Sequence, residues 1–235
     1  MKICLNLIAT NKYLSFLDII CPSIEDYFFP GSEVTVLVHT NLDLPDLSKY
    51  SKIKFVKNDI DHEPWPFTTL RRFQYFLSSR DTLEEHDYCF YVDVDSLFIG
   101  EISKPLLPER GMIGTIHPCL FQGPGTPERN PESKAYIPHE ANNRYFCGGF
   151  FGGKTEDFIK TSEFIFQNIE DDLSRGIIAI WHDESHLNRC FFENFPQVVL
   201  EPPFAVAENM TLRLPDSKVL FLDKASRGGH VFFRT

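Results

Sequence analysis

The strongest constraint on the fold is an alternation of apolar runs and helically spaced segments over the first 95 residues. Apolar runs of this kind are typical of strands that are buried on both faces of a parallel sheet. A helical spacing of apolar residues covers Asn11–Phe29, and a second helix is predicted over Thr68–Ser79. The predicted strands are Lys2–Ala9, Glu33–Thr40, Ile53–Val56 and Tyr88–Val92. The order βαββαβ predicts an open α/β sheet.

The second half of the sequence is less regular. Gln122–His139 is rich in proline, glycine and charge, which predicts a long loop of a kind that is usually functional or mobile. Thr68, Thr69, Thr155 and Asp183 are candidate helix caps. Further strands are predicted at Gly111–His117, Tyr145–Gly153 and Ile177–Trp181, and further helices at Thr155–Leu173 and Asp183–Asn194. No repeat or linker divides the chain, so we expect one domain.

Charge and cysteine content exclude several classes of protein. The net charge of −10 argues against nucleic-acid binding, because a phosphate backbone requires a positive face. The six cysteines form no Cys-x-x-Cys pair, which predicts free and mostly buried thiols in a reducing compartment. The sequence shows neither a signal peptide nor an apolar run that could cross a bilayer, so we expect no transmembrane segment and a cytoplasmic location.

The string Tyr91-Val92-Asp93-Val94-Asp95-Ser96 is the strongest candidate for chemistry. Its two carboxylates are two residues apart at the carboxyl end of a predicted strand, where open α/β sheets bind ligands. A divalent cation shared with a diphosphate would hold them together. Two alternatives remain open: solvated acids at a strand end, and the D-x-D-S/T signature of a haloacid-dehalogenase-like phosphatase. That signature normally follows the first strand of its fold.

A second candidate is the string Trp181-His182-Asp183-Glu184-Ser185, which begins a predicted helix. Acids in a first helical turn need no function, because the helix dipole favours them there. The functional interpretation is a carboxylate kept ionised in a pocket as a nucleophile or a stabiliser of an oxocarbenium-like cation. Of the pair Arg71-Arg72, one arginine is expected to be exposed and one buried, with Asp93 as a candidate partner.

Together these strings resemble glycosyltransferase family 6, which includes the histo-blood-group A and B transferases and the α-1,3-galactosyltransferases. The resemblance extends from about Ile3 to Leu200 and rests on the strings WPFTTLRRF, FYVDVDSLF, GTIHP, SKAYIP, YFCGGFFGG and IWHDESHLNR. It implies a single domain of the GT-A type. The nucleotide-binding half would cover about 1–100, the acceptor-binding half about 101–220, and a flexible C-terminal tail about 221–235.

The resemblance also implies a reaction. Family members transfer galactose or N-acetylgalactosamine from a UDP-sugar to the 3-hydroxyl of a galactoside, with retention of configuration. Asp93 and Asp95 match the metal-binding D-V-D, so Mn²⁺ is the expected cofactor, with Mg²⁺ as a substitute. Gly149 matches a position at which family members with glycine generally use N-acetylgalactosamine as the donor sugar. UDP-GalNAc is therefore the expected donor, and UDP-galactose is the alternative. The expected acceptor is an α1,2-fucosylated galactoside.

Residue roles follow from the same resemblance. Glu184 matches the catalytic carboxylate, which would form a glycosyl intermediate or stabilise an ion pair. Implied donor-binding residues are Thr10, Tyr13, Arg72, Asp93, Val94, Asp95, Cys147, Gly148, Gly149, His182, Asp183 and Lys224. Implied acceptor-binding residues are His117, Thr126, Trp181, Glu184 and Glu208. A third class of protein, a non-catalytic carbohydrate-binding module that uses the many aromatics, also stays open, as does the oligomeric state.

Overall fold

The structure is a computed structural model that describes residues 1–118, 125–139, 144–209 and 216–234. Its strands are β1 (Lys2–Ile8), β2 (Glu33–Thr40), β3 (Ile53–Asp59), β4 (Tyr88–Val92), β5 (Ser96–Phe98), β6 (Met112–Ile116), β7 (Phe146–Lys154), β8 (Val198–Leu200), β9 (Val206–Ala207) and β10 (Val219–Phe221). Its α-helices are α1 (Leu17–Tyr27), α2 (Phe67–Leu70), α3 (Arg72–Ser78), α4 (Arg80–Glu84), α5 (Thr155–Ser174), α6 (His182–Glu193) and α7 (Gly229–Arg234). Short 3₁₀ helices cover Asn11–Phe16, Lys104–Leu106, Pro202–Phe204 and Ala225–Arg227.

Seven strands form one sheet in the order β3-β2-β1-β4-β7-β6-β8. The pairs among β1, β2, β3 and β4 are all parallel, which confirms the α/β arrangement predicted for the first half. Strand β7 runs antiparallel to both of its neighbours. Because β2 and β4 lie on opposite sides of β1, the connections after β1 and β4 diverge and leave a crevice at their carboxyl ends. A smaller sheet has the order β5-β10-β9.

Each face of the large sheet carries its own apolar core. In β1, Leu5 and Leu7 pack in a cluster with Ile20 of α1, whereas Cys4 points to the cluster that holds Phe76 and Phe158. This division follows from the two-residue alternation of side chains along a strand. Among the described cysteines, all are free and buried, as the sequence predicts; Cys119 lies outside the described residues.

The predicted helix caps are wrong. The Thr68 and Thr69 hydroxyls donate to the carbonyls of Glu63 and Pro66, and a cap must instead accept from an N–H group. Thr155 donates to the carbonyl of His86 at 2.7 Å. At the start of α6 the N-cap residue is Trp181, and the Asp183 carboxylate lies inside the helix and pairs with Arg72. The predicted helix Thr68–Ser79 is also divided into α2 and α3 at Arg71.

The predicted strand Ile177–Trp181 is absent from the described sheets. The edge position beside β6 is taken by β8, so this apolar run has no strand to pair with. Its backbone groups are satisfied elsewhere: the Ile180 N–H donates to the Glu128 carboxylate at 2.7 Å. Only Ala179 of the run is fully buried, whereas Ile178 and Ile180 are exposed.

The predicted loop Gln122–His139 is described from residue 125 onward, and it holds no helix or strand there. It is nevertheless packed, since Ala135 and Ile137 are completely buried. The buried Asp172 carboxylate accepts hydrogen bonds from the Ser133 hydroxyl and the Lys134 N–H. The described part of the loop is therefore packed against α5.

The C-terminal segment is helical and packed. Phe233 of α7 is buried and lies 5.2 Å from the Tyr13 ring and 4.9 Å from the Phe16 ring, measured between centroids. The Lys12 ammonium donates to the carbonyl of Phe232. Flexibility of the tail stays a prediction. Within the described ranges, no helix combines the length and the apolar character that a membrane span requires.

A buried histidine should make the fold sensitive to acid. His39 donates to Asn6 Oδ1 at 3.1 Å and accepts from Asn58 Nδ2 at 2.9 Å, and burial lowers its pKa to about 3. Below about pH 6.5 the imidazole of His39 is protonated in the unfolded chain but stays neutral in the folded protein. The free energy of unfolding should therefore fall by about 1.4 kcal/mol for each pH unit between about 6.5 and the folded pKa. His39→Gln can keep both hydrogen bonds without titrating. Urea unfolding between these pH values should give a flatter profile for the variant, and equally steep profiles would contradict the assignment.

Candidate active site

Two adjoining cavities open at the carboxyl ends of β1 and β4. The smaller, of about 190 Å³, lies between the two strand ends and α7. The larger, of about 490 Å³, extends towards β7 and α6. Both cavities are lined by Trp65, Thr69, Arg72, Asp93, Asp95 and Lys224. These shared residues make the two cavities one continuous cleft, located where the topology places a ligand site.

Arg72 is the central cation of the cleft. Its guanidinium lies 3.1 Å from Asp183 Oδ2 and 3.5 Å from Asp93 Oδ1, and it covers the Tyr91 ring at 4.1 Å from the centroid. Burial disfavours its charge, but the carboxylates of Asp183, Asp93 and Glu184 raise the pKa of Arg72 above its ordinary range. The prediction of one buried arginine that pairs with Asp93 is confirmed. Arg72 thereby joins the segment before β4 to the start of α6.

The single positive charge of Arg72 does not balance the negative charges of the acids around it. Burial raises the pKa of Asp183 to about 7, against the opposing effect of Arg72. Burial also raises the pKa of Glu184, although two hydrogen bonds oppose this shift. Those bonds come from the Tyr145 hydroxyl to Oε1 and from the Gly148 N–H to Oε2, each at 2.7 Å. Glu184 is therefore held in one orientation, with donors that favour its ionised form.

Gly148 leaves little space for a side chain beside Glu184. A Cβ atom added there would lie 3.2 Å from the Cβ atom of Glu184 and 3.3 Å from its Oε2. At Gly149 an added Cβ would lie 2.7 Å from the Phe221 ring and 3.0 Å from Asp93 Oδ2. The two glycines let β7 approach both carboxylates closely.

Asp93 and Asp95 form a donor set that fits a hard divalent cation. Both carboxylates line both cavities, and the Asp93 side chain remains about one-third exposed. The Tyr91 hydroxyl donates to Asp93 Oδ1 at 2.6 Å, and the Lys224 ammonium contacts Asp95. Burial and the neighbouring Asp93 raise the pKa of Asp95, because a buried pair of acids carries unfavourable charge that a cation relieves. Paired oxygen donors of this kind suit Mn²⁺ or Mg²⁺.

The start of α6 carries backbone strain. His182 has a φ of 52°, in a left-handed region that costs a non-glycine residue about 1–3 kcal/mol. Its ring packs edge-on against Trp65 at 4.9 Å between centroids. Such strain persists only where neighbouring contacts hold it, and here it lies between Trp181 and Asp183, which both face the larger cavity.

The cleft brings together most of the residues that the sequence predicts. Thr10, Tyr13 and Val94 line the smaller cavity alone. Glu208 lies outside the residues that line either cavity; its carboxylate accepts from Arg227 and from the N–H of Asp223 at 2.7 Å. This position does not favour its predicted contact with an acceptor. The predicted residues lining the larger cavity are Arg72, Asp93, Asp95, His117, Thr126, Cys147, Gly148, Gly149, Trp181, His182, Asp183, Glu184 and Lys224.

Sequence reasoning missed several residues of the cleft. Tyr145 orients Glu184, and Phe221 faces Gly149 from the small sheet. Tyr145 begins the glycine-rich string YFCGGFFGG. Its position next to the implied donor-binding residues Cys147 and Gly148 was a usable signal. His230 and Phe233 line the smaller cavity from the far end of the chain, and no local pattern indicates this.

Comparison with known proteins agrees with this geometry. Residues 1–225 match the profile of glycosyltransferase family 6, so the chain belongs to that family and its α/β fold is of the GT-A type. It is 31% identical over 208 residues to the histo-blood group ABO system transferase 1 of Rattus norvegicus, which covers 85% of this chain and 59% of that protein. It is 30% identical over 227 residues to the O-antigen biosynthesis glycosyltransferase WbnI of Escherichia coli, covering 92% of each.

A third relative is the globoside alpha-1,3-N-acetylgalactosaminyltransferase 1 of Gallus gallus, 29% identical over 205 residues, or 83% of this chain and 59% of that protein. The chain thus spans well under two thirds of the length of the rat and chicken relatives. Its match to the bacterial relative extends over nearly the full length of both.

Proposed function

We propose that this protein is a metal-dependent, retaining transferase that moves N-acetylgalactosamine from UDP-GalNAc to the 3-hydroxyl of a galactoside. The observation that carries the proposal is that Asp93, Asp95 and Glu184 line one continuous cleft, with Arg72 between the aspartates and the start of α6. Membership of glycosyltransferase family 6 supports the reaction class, and the name of the chicken relative supports the sugar.

In this proposal the uridine occupies the smaller cavity, between the ends of β1 and β4. Thr10, Tyr13 and Phe233 of α7 line this cavity, with the Phe233 ring packed against the Tyr13 ring. The diphosphate then lies over Asp93 and Asp95, where the Lys224 ammonium supplies a positive charge from the C-terminal segment. A divalent cation held by the two aspartates would act as a Lewis acid that stabilises the negative charge on the departing UDP.

The sugar extends into the larger cavity, towards Glu184. The Asp183 carboxylate, held by Arg72, is placed to accept a hydrogen bond from a sugar hydroxyl. Glu184 faces the anomeric carbon and either forms a glycosyl ester, which the acceptor hydroxyl then displaces, or stabilises an oxocarbenium-like ion pair. Both routes retain the configuration at the anomeric carbon. Trp181, half exposed, offers an apolar ring face for the acceptor.

The location of the aspartates does not favour the phosphatase alternative. Asp93 follows β4, the fourth strand of the chain, rather than the first. Nor does a carbohydrate-binding module require a partly buried Glu184 with two dedicated hydrogen-bond donors. The transferase explains both features.

The aspartates should couple UDP binding to a divalent cation. We expect Mn²⁺ to strengthen UDP binding by about tenfold or more, as measured by calorimetry with and without Mn²⁺. Asp95→Asn should remove most of this gain, because an amide is a poorer ligand for a hard cation than a carboxylate. Asp59→Asn, an exposed acid at the end of β3, is the matched control and should keep the full gain.

The reaction itself is tested by release of UDP. UDP-GalNAc should support turnover with Mn²⁺ and 2'-fucosyllactose, and at a higher rate than UDP-galactose. The opposite ranking of the donors would favour the galactosyltransferase alternative. Absence of turnover with both donors, or unchanged Mn²⁺ coupling in Asp95→Asn, would refute the proposal.

A further inference from the structure

A second group of potential metal ligands lies in the larger cavity, separate from the aspartate pair. The ligand atoms of His117, Cys147 and Glu184 all lie within 4.8 Å of one another. The three residues come from the segment after β6, from β7 and from α6, so the sheet and the helix bring them together. All three line the larger cavity, which gives an ion a path of entry.

The surroundings of these residues already contain the hydrogen bonds that support metal ligands. The Gly149 N–H donates to the Cys147 sulfur at 3.3 Å. This contact favours the thiolate, against burial and the Glu184 carboxylate, which raise the pKa of Cys147. The Tyr145 hydroxyl fixes the Glu184 carboxylate, and its ring lies edge-on to His117 at 5.6 Å between centroids. Such supporting contacts orient the groups that bind a metal directly.

The chemistry of the group differs from that of the aspartate pair. Thiolate and imidazole ligands are softer than carboxylate oxygens and select Zn²⁺ over Mn²⁺ or Mg²⁺. Three protein ligands with a fourth open position form a tetrahedral zinc site of a familiar kind. The ligand atoms lie within 4.8 Å of one another, so tetrahedral coordination requires the three side chains to move closer together.

We propose that His117, Cys147 and Glu184 bind Zn²⁺, with water in the fourth position facing the cavity. The ion binds the thiolate, the imidazole and one carboxylate oxygen, and the thiol proton passes to the buffer. One consequence rests on the proposed function: Zn²⁺ on Glu184 occupies the carboxylate that would face the anomeric carbon. Zn²⁺ is then an inhibitor that excess Mn²⁺ does not displace.

Cobalt(II) tests the site without any sugar nucleotide. One equivalent of Co²⁺ added to metal-stripped protein should produce a thiolate-to-cobalt charge-transfer band in the near ultraviolet, which the oxygen ligands of Asp93 and Asp95 cannot give. Zn²⁺ should abolish the band by displacement. Cys147→Ser should lack the band, whereas Cys190→Ser, which removes another buried thiol, should keep it. Tyr145→Phe should keep the band but weaken Co²⁺ binding by about 10- to 100-fold.

The outcomes separate this site from the proposed transferase. Absence of the band in the wild type, its persistence in Cys147→Ser, or its loss in Cys190→Ser would overturn the zinc proposal. None of these results affects the coupling of UDP to Mn²⁺, which is measured at the aspartates. Loss of that coupling would in turn leave the cobalt spectrum unchanged.

Discussion

Glu184→Gln is expected to lower the transfer rate by roughly 10³- to 10⁴-fold while leaving UDP binding intact. The amide is nearly the same size as the carboxylate and can still pair with the Gly148 N–H and the Tyr145 hydroxyl. The fold should therefore persist. The substitution removes the negative charge that would attack or stabilise the anomeric carbon. Rates at saturating donor and acceptor, together with calorimetry of UDP, separate the two effects.

Glu193→Gln is the matched control for this substitution. Glu193 lies at the end of the same helix, α6, and pairs with Arg189 at its surface-facing side. Its replacement should leave the transfer rate unchanged. If Glu184→Gln also kept the wild-type rate, or lost UDP binding along with it, a catalytic role for Glu184 would be wrong.

Arg72→Met is expected to reduce the free energy of unfolding by about 3–5 kcal/mol. The variant removes the guanidinium between Asp93 and Asp183 and leaves the buried Asp183 carboxylate without its cation. It should also abolish transfer, since the start of α6 would lose its link to the aspartates. Denaturant unfolding measures the first effect and UDP release the second.

Arg71→Met provides a comparison in the neighbouring residue. Arg71 pairs with Glu170 and Glu63 at partly exposed positions, where such pairs contribute about 0–1 kcal/mol. A small loss of unfolding free energy for Arg71→Met and a large loss for Arg72→Met would confirm that burial determines the energetic contribution of each arginine. Equal effects at the two positions would contradict the central role of Arg72.

The sequence predicts the first half of the fold well because burial and periodicity agree there. Strands β2 and β4 have the predicted bounds, since each is a nearly continuous apolar run in the interior of the large sheet. The apolar pattern of the sequence gives wrong predictions where tertiary contacts decide the secondary structure. Ile177–Trp181 is as apolar as a strand, but β8 occupies the sheet edge that it would need. The strands β9 and β10 are too short to show a period.

Sequence patterns predict the candidate site less completely than they predict the fold. Spacing alone indicates Asp93 and Asp95, because both follow a buried strand. It cannot place Lys224 against Asp95, since 129 residues separate them along the chain. Family resemblance supplies such residues only where the local strings match. At Glu208 the string departs from the family, and the structure pairs that carboxylate with Arg227.

Both tryptophans of the chain, Trp65 and Trp181, line this one cleft. These residues are 47% and 49% exposed respectively, so each one borders solvent that a ligand would displace. Intrinsic tryptophan emission therefore originates only from the walls of the cleft, with no background from the core. The protein carries its own optical probe for occupancy, and titrations can be followed without attaching a dye.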